Sequence, residues 1–154
     1  MCLESCYLFE NISKAQFKTL ESIMDKVSTS KGQNIFREGE DALFLYILKK
    51  GKVELTMRIE NSLELPIAIL RESGNSFGIS ALIRPHQYSL SAHSLEESTL
   101  LKIDRIKIQQ AISEDRDLGC IIMSNAAAYF FEHLVVTRRE LKIHFKTLIK
   151  YMLV

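Results

Sequence analysis

The chain has no tryptophan, only 2 prolines and 6 glycines in 154 residues, and no low-complexity tract. So little proline and glycine leaves no room for long disordered linkers, and nearly the whole chain is expected to be ordered. The 3 cysteines, Cys2, Cys6 and Cys120, are odd in number and lack CxxC spacing. That pattern argues against a disulfide framework and a closed zinc site, and suits a reducing cytoplasm. An excess of charge of one sign is missing too: 20 Lys+Arg against 19 Asp+Glu leave a net charge of +1. No global field therefore points to nucleic acid, an anionic membrane or a polycationic partner. Met1-Cys2-Leu3-Glu4 lacks the basic and apolar regions of a secretory signal. The longest apolar stretch, residues 118–136, is interrupted by Asn125, Glu132 and His133 and reads as a helix buried on several sides, not a membrane span. What is present, 47% hydrophobic and 25% charged residues, is the composition of one soluble domain.

Ile12, Phe17, Leu20, Ile23 and Met24 fall on one helical stripe, with Ser13 as cap, so a short amphipathic helix is expected over 12–26. From Val27 to Asp104 the pattern becomes short apolar runs punctuated by Gly32, Gly39, Gly51, Gly74 and Gly78, which reads as all β. Alternation of Val53, Leu55 and Met57 with Lys52, Glu54, Thr56 and Arg58 marks a strand with one buried face. Further strands are expected over 34–37, 43–49, 65–70, 88–95 and 99–103, together making a roll, barrel or sandwich. Helix returns after Ile103: Asp104 caps a helix over 105–112, and a long helix runs from about Glu114 to Arg138 or beyond. Its apolar residues cover more than the stripe needed to dock on a β domain. Since Ala126, Ala127 and Ala128 permit close approach, a second copy of the helix is the simplest cover, with Ile122, Ala126, Ala127, Phe130 and Leu134 at an isologous homodimer interface. The alternative is that residues 141–154 fold back over it.

Several ordered pieces carry a family resemblance: Leu8-Phe9, Lys31-Gly32-Gln33-Asn34-Ile35-Phe36-Arg37-Glu38-Gly39-Glu40, the run from Leu45 to Val53 through Gly51, Gly74-Asn75-Ser76-Phe77-Gly78, and the run from Leu95 to Ile103. Over about residues 8–138 the chain resembles the cyclic nucleotide-binding domain of the catabolite activator and fumarate-nitrate regulator (CRP/FNR) family. The resemblance implies a mainly β fold with flanking helices: a double-stranded β-helix, or jelly-roll-like β-roll, with a long C-terminal dimerisation helix. Residues 1–113 would form the N-terminal helix and roll, and 114–154 the dimerisation helix and terminal helical segment.

It also implies a phosphate-binding cassette, in which backbone N–H groups and an arginine hold a cyclic phosphate while a glutamate accepts a ribose hydroxyl. The candidate ligand-binding residues here are Phe77, Gly78, Ile79, Ser80, Ala81, Leu82, Arg84, Tyr88 and Ser89. Gly78, Ala81 and Leu82 match the family's pattern, but Ile79 stands at its glutamate position and Tyr88 at its arginine position. Losing both anchors costs several kcal/mol by the usual size, roughly 1.5–3 each, of charge-assisted bonds, so ordinary cyclic AMP or cyclic GMP binding is not expected. Arg84 is a candidate substitute cation; Ser80, Ser89 and Ser91 are candidate anion donors or satisfy local backbone. Tyr88 is expected to fill the pocket.

His86 and His93 raise the alternative of a haem-based redox or gas sensor, although a strand histidine is more often structural. Cys2, Cys6 and Cys120 fall one thiolate short of an iron–sulfur ligand set. No nucleophile elbow, phosphate-cradling glycine loop or HExxH occurs, so a non-enzyme without metal or cofactor is expected. Arg138, Arg139, Lys142, Lys146 and Lys150 gather near the end, read as a solvated helix face. With Val154 the last residue, no room remains for a winged helix-turn-helix, so this chain alone is not expected to recognise a DNA sequence. The reading is a cytoplasmic, non-catalytic regulatory sensor domain with a possible small-molecule effector. The alternative within the family is the effector domain of a transcription regulator lacking its DNA-binding part.

Overall fold

A computed structural model describes residues 4–153, and Cys2 lies outside them. Ser13 opens the first helix, α1 (Lys14–Ser22), through a capping box: Gln16 N–H donates to Ser13 Oγ (3.2 Å) and Ser13 N–H to Gln16 Oε1 (2.9 Å). The helix stops short of the expected Lys26 because Met24 already begins a strand, β1 (Met24–Thr29), paired in register with Ile103. Tertiary pairing overrides the helical periodicity there.

The remaining elements are β2 (Asn34–Phe36), β3 (Phe44–Lys50), β4 (Val53–Glu60), β5 (Leu63–Leu70), β6 (Ser76–Phe77), β7 (Ser91–Ser94), β8 (Ser98–Asp104), α2 (Arg105–Glu114) and α3 (Arg116–Met152). Two four-stranded antiparallel sheets form, in the orders β1-β8-β3-β6 and β2-β7-β4-β5. They enclose a core that includes Leu45, Ile47, Leu48, Val53, Phe77, Leu100 and Ile103. A buried bond of 2.6 Å between the Thr29 and Ser94 hydroxyls ties one sheet to the other. This is the jelly-roll-like β-roll with flanking helices. The expected strand over 88–95 shrinks to β7, because the Tyr88 backbone bonds to the loop at Gly39 and Glu40 instead of to a neighbouring strand.

The alternation in β4 holds for only half its length. A bulge lets Leu55 face Ala68 while Thr56 faces Pro66, skipping Ile67. There the expected burial fails: Thr56 is buried and donates to Glu64 Oε2 (2.8 Å), while Met57 is exposed.

Asp104 caps α2 and Asp115 caps α3. Asp115 accepts from Leu118 N–H (3.0 Å) and from Gln16 Nε2 (2.9 Å). These donors, the Leu118 amide foremost, hold its carboxyl below the usual range. Asn125 clamps α3 to the N-terminal 3-10 turn (Tyr7–Phe9), donating to the carbonyls of Leu8 (3.1 Å) and Glu10 (3.0 Å). Leu118, Ile122 and Ala126 form the buried stripe of α3. One expectation is corrected by this: Ile122 and Ala126 are buried against the chain's own fold, so they are not the surface a second copy would meet. Residues 141–152 do not fold back but continue the helix.

Candidate functional site

The cassette hangs between β6 and β7. β6 pairs Phe77 with Tyr46 and Ser76 with Ile47 on β3, then the chain reverses at Gly78 in the left-handed region (φ 71°). A Cβ there would lie 3.0 Å from the Phe44 carbonyl oxygen, 3.2 Å from Tyr88 and 3.3 Å from Phe36, so both conformation and crowding call for glycine. Residues Ile79–Leu82 make one 3-10 turn, with Ala81 N–H donating to Gly78 O (3.1 Å) and Ile83 N–H to Ser80 O (3.2 Å). Ile79, Ala81 and Leu82 face inward and join the core.

The returning leg is zipped to the loop before β3: Gly39 N–H donates to Tyr88 O (2.8 Å), Tyr88 N–H to Glu40 O (2.9 Å) and Ala42 N–H to His86 O (2.7 Å). Tyr88 itself is locked. Its ring stacks on Phe36 at 3.7 Å and 10°. Its hydroxyl donates to Phe44 O (2.8 Å) and accepts from Phe44 N–H (3.1 Å). Burial pushes the phenol's pKa up, so it stays a donor. Ser91 Oγ likewise serves backbone, accepting from Glu38 N–H (3.0 Å).

Above the cassette a cavity of about 350 Å³ opens between the roll and α3. Phe36, Leu55, Ile67, Leu70, Phe77, Ile79 and Tyr88 wall it on the roll side, Tyr129, Phe130 and His133 on α3, and Tyr7 from the N-terminal turn. Asn75, Gly78, Ser80 and Ser89 also line it, but among the described residues no Lys, Arg, Asp or Glu does. Arg84 is exposed and lines a shallow depression outside, with Ser80, Ser89 and Phe130, so it is not the cavity's substitute cation. Sequence reasoning missed Tyr7, Ser76, Tyr129 and His133. Nothing in the local pattern marks them, because α3 and the N-terminal turn reach the cassette only through the fold; Tyr7 and Tyr129 stack at 4.4 Å and 11°.

Neither histidine raised for haem lines this cavity. His93 Nε2 lies 2.9 Å from Glu54 Oε2 across β7 and β4, and His86 is half-buried beside Ile83 and Ala42. Cys6 is buried in the core and Cys120 exposed on α3.

Beyond its buried stripe, α3 exposes a second row, apolar except for Arg138. Ala127, Phe131, Leu134, Arg138, Leu141, Phe145, Leu148 and Met152 recur at alternating intervals of 4 and 3 residues, the period of a coiled-coil seam. Its large apolar members from Phe131 to Leu148 are 45–65% exposed. The β4–β5 hairpin shows an exposed apolar face as well, made by Met57, Ile59, Leu63, Leu65, Ile67 and Ile69. The basic residues Arg138, Arg139, Lys142, Lys146 and Lys150 are all exposed.

A roll, a cassette and a long C-terminal helix define a regulatory domain, and residues 26–115 match the cyclic nucleotide-binding domain family. The chain belongs to that family. Among curated relatives it is 28% identical over 104 residues to the anaerobic regulatory protein of Bacillus subtilis, covering 68% of this chain and 44% of that one. It is 25% identical over 112 residues to a CRP-like cAMP-activated global transcriptional regulator of Mycobacterium tuberculosis, covering 73% and 50%. A match to cGMP-dependent protein kinase 2 of Homo sapiens, 25% identical, takes in 91% of this chain but only 16% of the kinase. The chain thus spans half or less of the length of these relatives. Among solved structures, the catabolite activator protein of Thermus thermophilus superposes with a TM-score of 0.76 at 26% identity, covering 89% of this chain and 62% of that one. The sensor domain of the transcriptional regulator DNR from Pseudomonas aeruginosa gives 0.71 at 22% identity, covering 86% and 89%. The protein is therefore a regulatory domain with CRP/FNR-type homologues.

Proposed function

We propose that this chain is a non-catalytic sensor domain that acts as a homodimer and does not bind cyclic AMP or cyclic GMP in the family's usual way. The observation that carries this reading is the cassette's interior. Tyr88 is stacked and doubly hydrogen-bonded at the position assigned to the arginine, Ile79 is buried at that of the glutamate, and among the described residues no carboxylate, ammonium or guanidinium lines the cavity. A cyclic phosphate there would lose water without gaining a cation.

The exposed seam of α3 supports a second copy of the same helix as partner, and the hairpin's apolar face supports an extension of that interface from the roll. Because Phe130 and His133 line the cavity one position from the seam residues Phe131 and Leu134, a ligand there would bias how two paired helices meet, a shift between dimer geometries. The regulators among the relatives support a second reading, in which this domain is the effector half of a transcription factor. Although α3 alone among the described helices is long and apolar enough to cross a membrane by length and composition, its buried stripe packs on the N-terminal turn and α2, which favours a soluble, cytoplasmic domain.

Two measurements test the reading. Sedimentation at micromolar concentration should give a dimer, and Phe131→Glu with Leu134→Glu a folded monomer; a wild-type monomer overturns the dimer. Calorimetry with cyclic AMP should show no binding, and submillimolar affinity would overturn the pocket argument.

A further inference from the structure

We propose that the cavity between the roll and α3 takes an uncharged, planar, mainly apolar small molecule bearing one hydrogen-bonding group, which Tyr7 and Ser76 recognise. This rests on the sensor reading and names the ligand class it leaves open.

Three features of the cavity converge on that chemistry. Its walls are mainly apolar and aromatic, with Asn75, Ser76, Ser80 and Ser89 as the polar members, and the single basic side chain among the described residues there, His133, stands at the exposed edge on α3. A formal charge would be desolvated against phenyl and alkyl groups with no counter-ion in reach. Flat surfaces come from the stacked pairs Phe36–Tyr88 and Tyr7–Tyr129, which favour a planar guest. A volume of about 350 Å³ accommodates a molecule of two or three rings.

The third feature selects the polar group. Ser76 Oγ and Tyr7 Oη are buried at the cavity wall without a partner in bonding geometry among the described residues, and Ser76 is only 4% exposed. The two hydroxyls are neighbours but miss bonding geometry. Even a bond between them would leave one hydroxyl proton and several lone pairs unmatched. Buried hydroxyls are almost always satisfied, and a ligand hydroxyl, carbonyl or amine entering between them would satisfy both.

A charge-matched probe pair tests the inference on the full chain. Neutral phenylnaphthylamine should bind at one per chain with enhanced fluorescence, and its sulfonated counterpart, anilinonaphthalene sulfonate, at least about tenfold more weakly. Naphthol should displace the neutral probe roughly fivefold better than naphthalene, a preference lost in Tyr7→Phe combined with Ser76→Ala. Those variants should melt within about 2 °C of the wild type, since neither hydroxyl has a partner in bonding geometry among the described residues. Ala68→Trp should fill the cavity and abolish probe binding. Equal or tighter binding of the sulfonate, a naphthol preference that survives the double variant, or binding unaffected by Ala68→Trp would overturn the proposal. Displacement by submillimolar cyclic AMP would overturn it while leaving a sensor in place. Probe binding as expected, with sedimentation unchanged by naphthol, would uphold the ligand class and tell against the sensor reading instead.

Discussion

Replacing Tyr88 by phenylalanine keeps the ring and its stack on Phe36 but removes the hydroxyl that joins the returning cassette to the first residue of β3. Two bonds disappear, the 2.8 Å donation to Phe44 O and the 3.1 Å acceptance from Phe44 N–H. Tyr88 is 4% exposed, so water does not easily take its place. Each bond contributes about 1 kcal/mol net, and a buried amide left without an acceptor adds roughly 1 more, so the loss is about 2–3 kcal/mol. For a domain of this size that lowers Tm by roughly 4–12 °C. Calorimetric melting measures it directly. Tyr46→Phe is the control, because the Tyr46 hydroxyl makes no hydrogen bond among the described residues while its ring is equally part of the core. Tyr88→Phe melting within about 1 °C of the wild type, or no worse than Tyr46→Phe, would refute the view that Tyr88 latches the cassette.

Gly51 and Gly32 both have positive φ, 109° and 79°, but a Cβ at Gly51 would sit 2.6 Å from Ser98 Cα while none is crowded at Gly32. Gly32→Ala should cost only the left-handed backbone, about 1 kcal/mol, and Gly51→Ala clearly more, about 3 kcal/mol or above; equal urea midpoints would contradict the packing. Alkaline stability follows from Tyr7, Tyr46, Tyr88 and Tyr129, whose phenols burial holds above the ordinary value of 10.0. The unfolded chain loses these protons first, so stability is fully present below pH 10.0 and falls above it, by about 1.4 kcal/mol per pH unit for each phenol still protonated in the fold. A urea midpoint that stays level between neutral pH and strongly alkaline solution would refute this.

Where local pattern and final structure agree, the information was short-range. Ser13, Asp104 and Asp115 cap helices because a side-chain oxygen and an amide a few residues on meet in any chain that turns helical there. Glycine spacing announced the turns of the roll, and Gly78 marked the turn after β6. The sequence by itself thus determined the β-roll with its long last helix, and it showed that Ile79 and Tyr88, in the segment between β6 and β7, carry no formal charge. The tertiary structure alone decided that Met24 leaves α1 for a strand, since only the ladder with Ile103 rewards it, and that Thr56 is buried while Met57 is exposed beside the bulge in β5. It also decided that Ile122 and Ala126 belong to the inner stripe of α3 while Phe131 and Leu134 belong to the outer one. Apolar periodicity counts faces but does not say what covers each. The cavity has the same origin: Tyr7 and Tyr129 lie far apart in the chain, and Asn125, by binding the Leu8 and Glu10 carbonyls, brings them to the cassette.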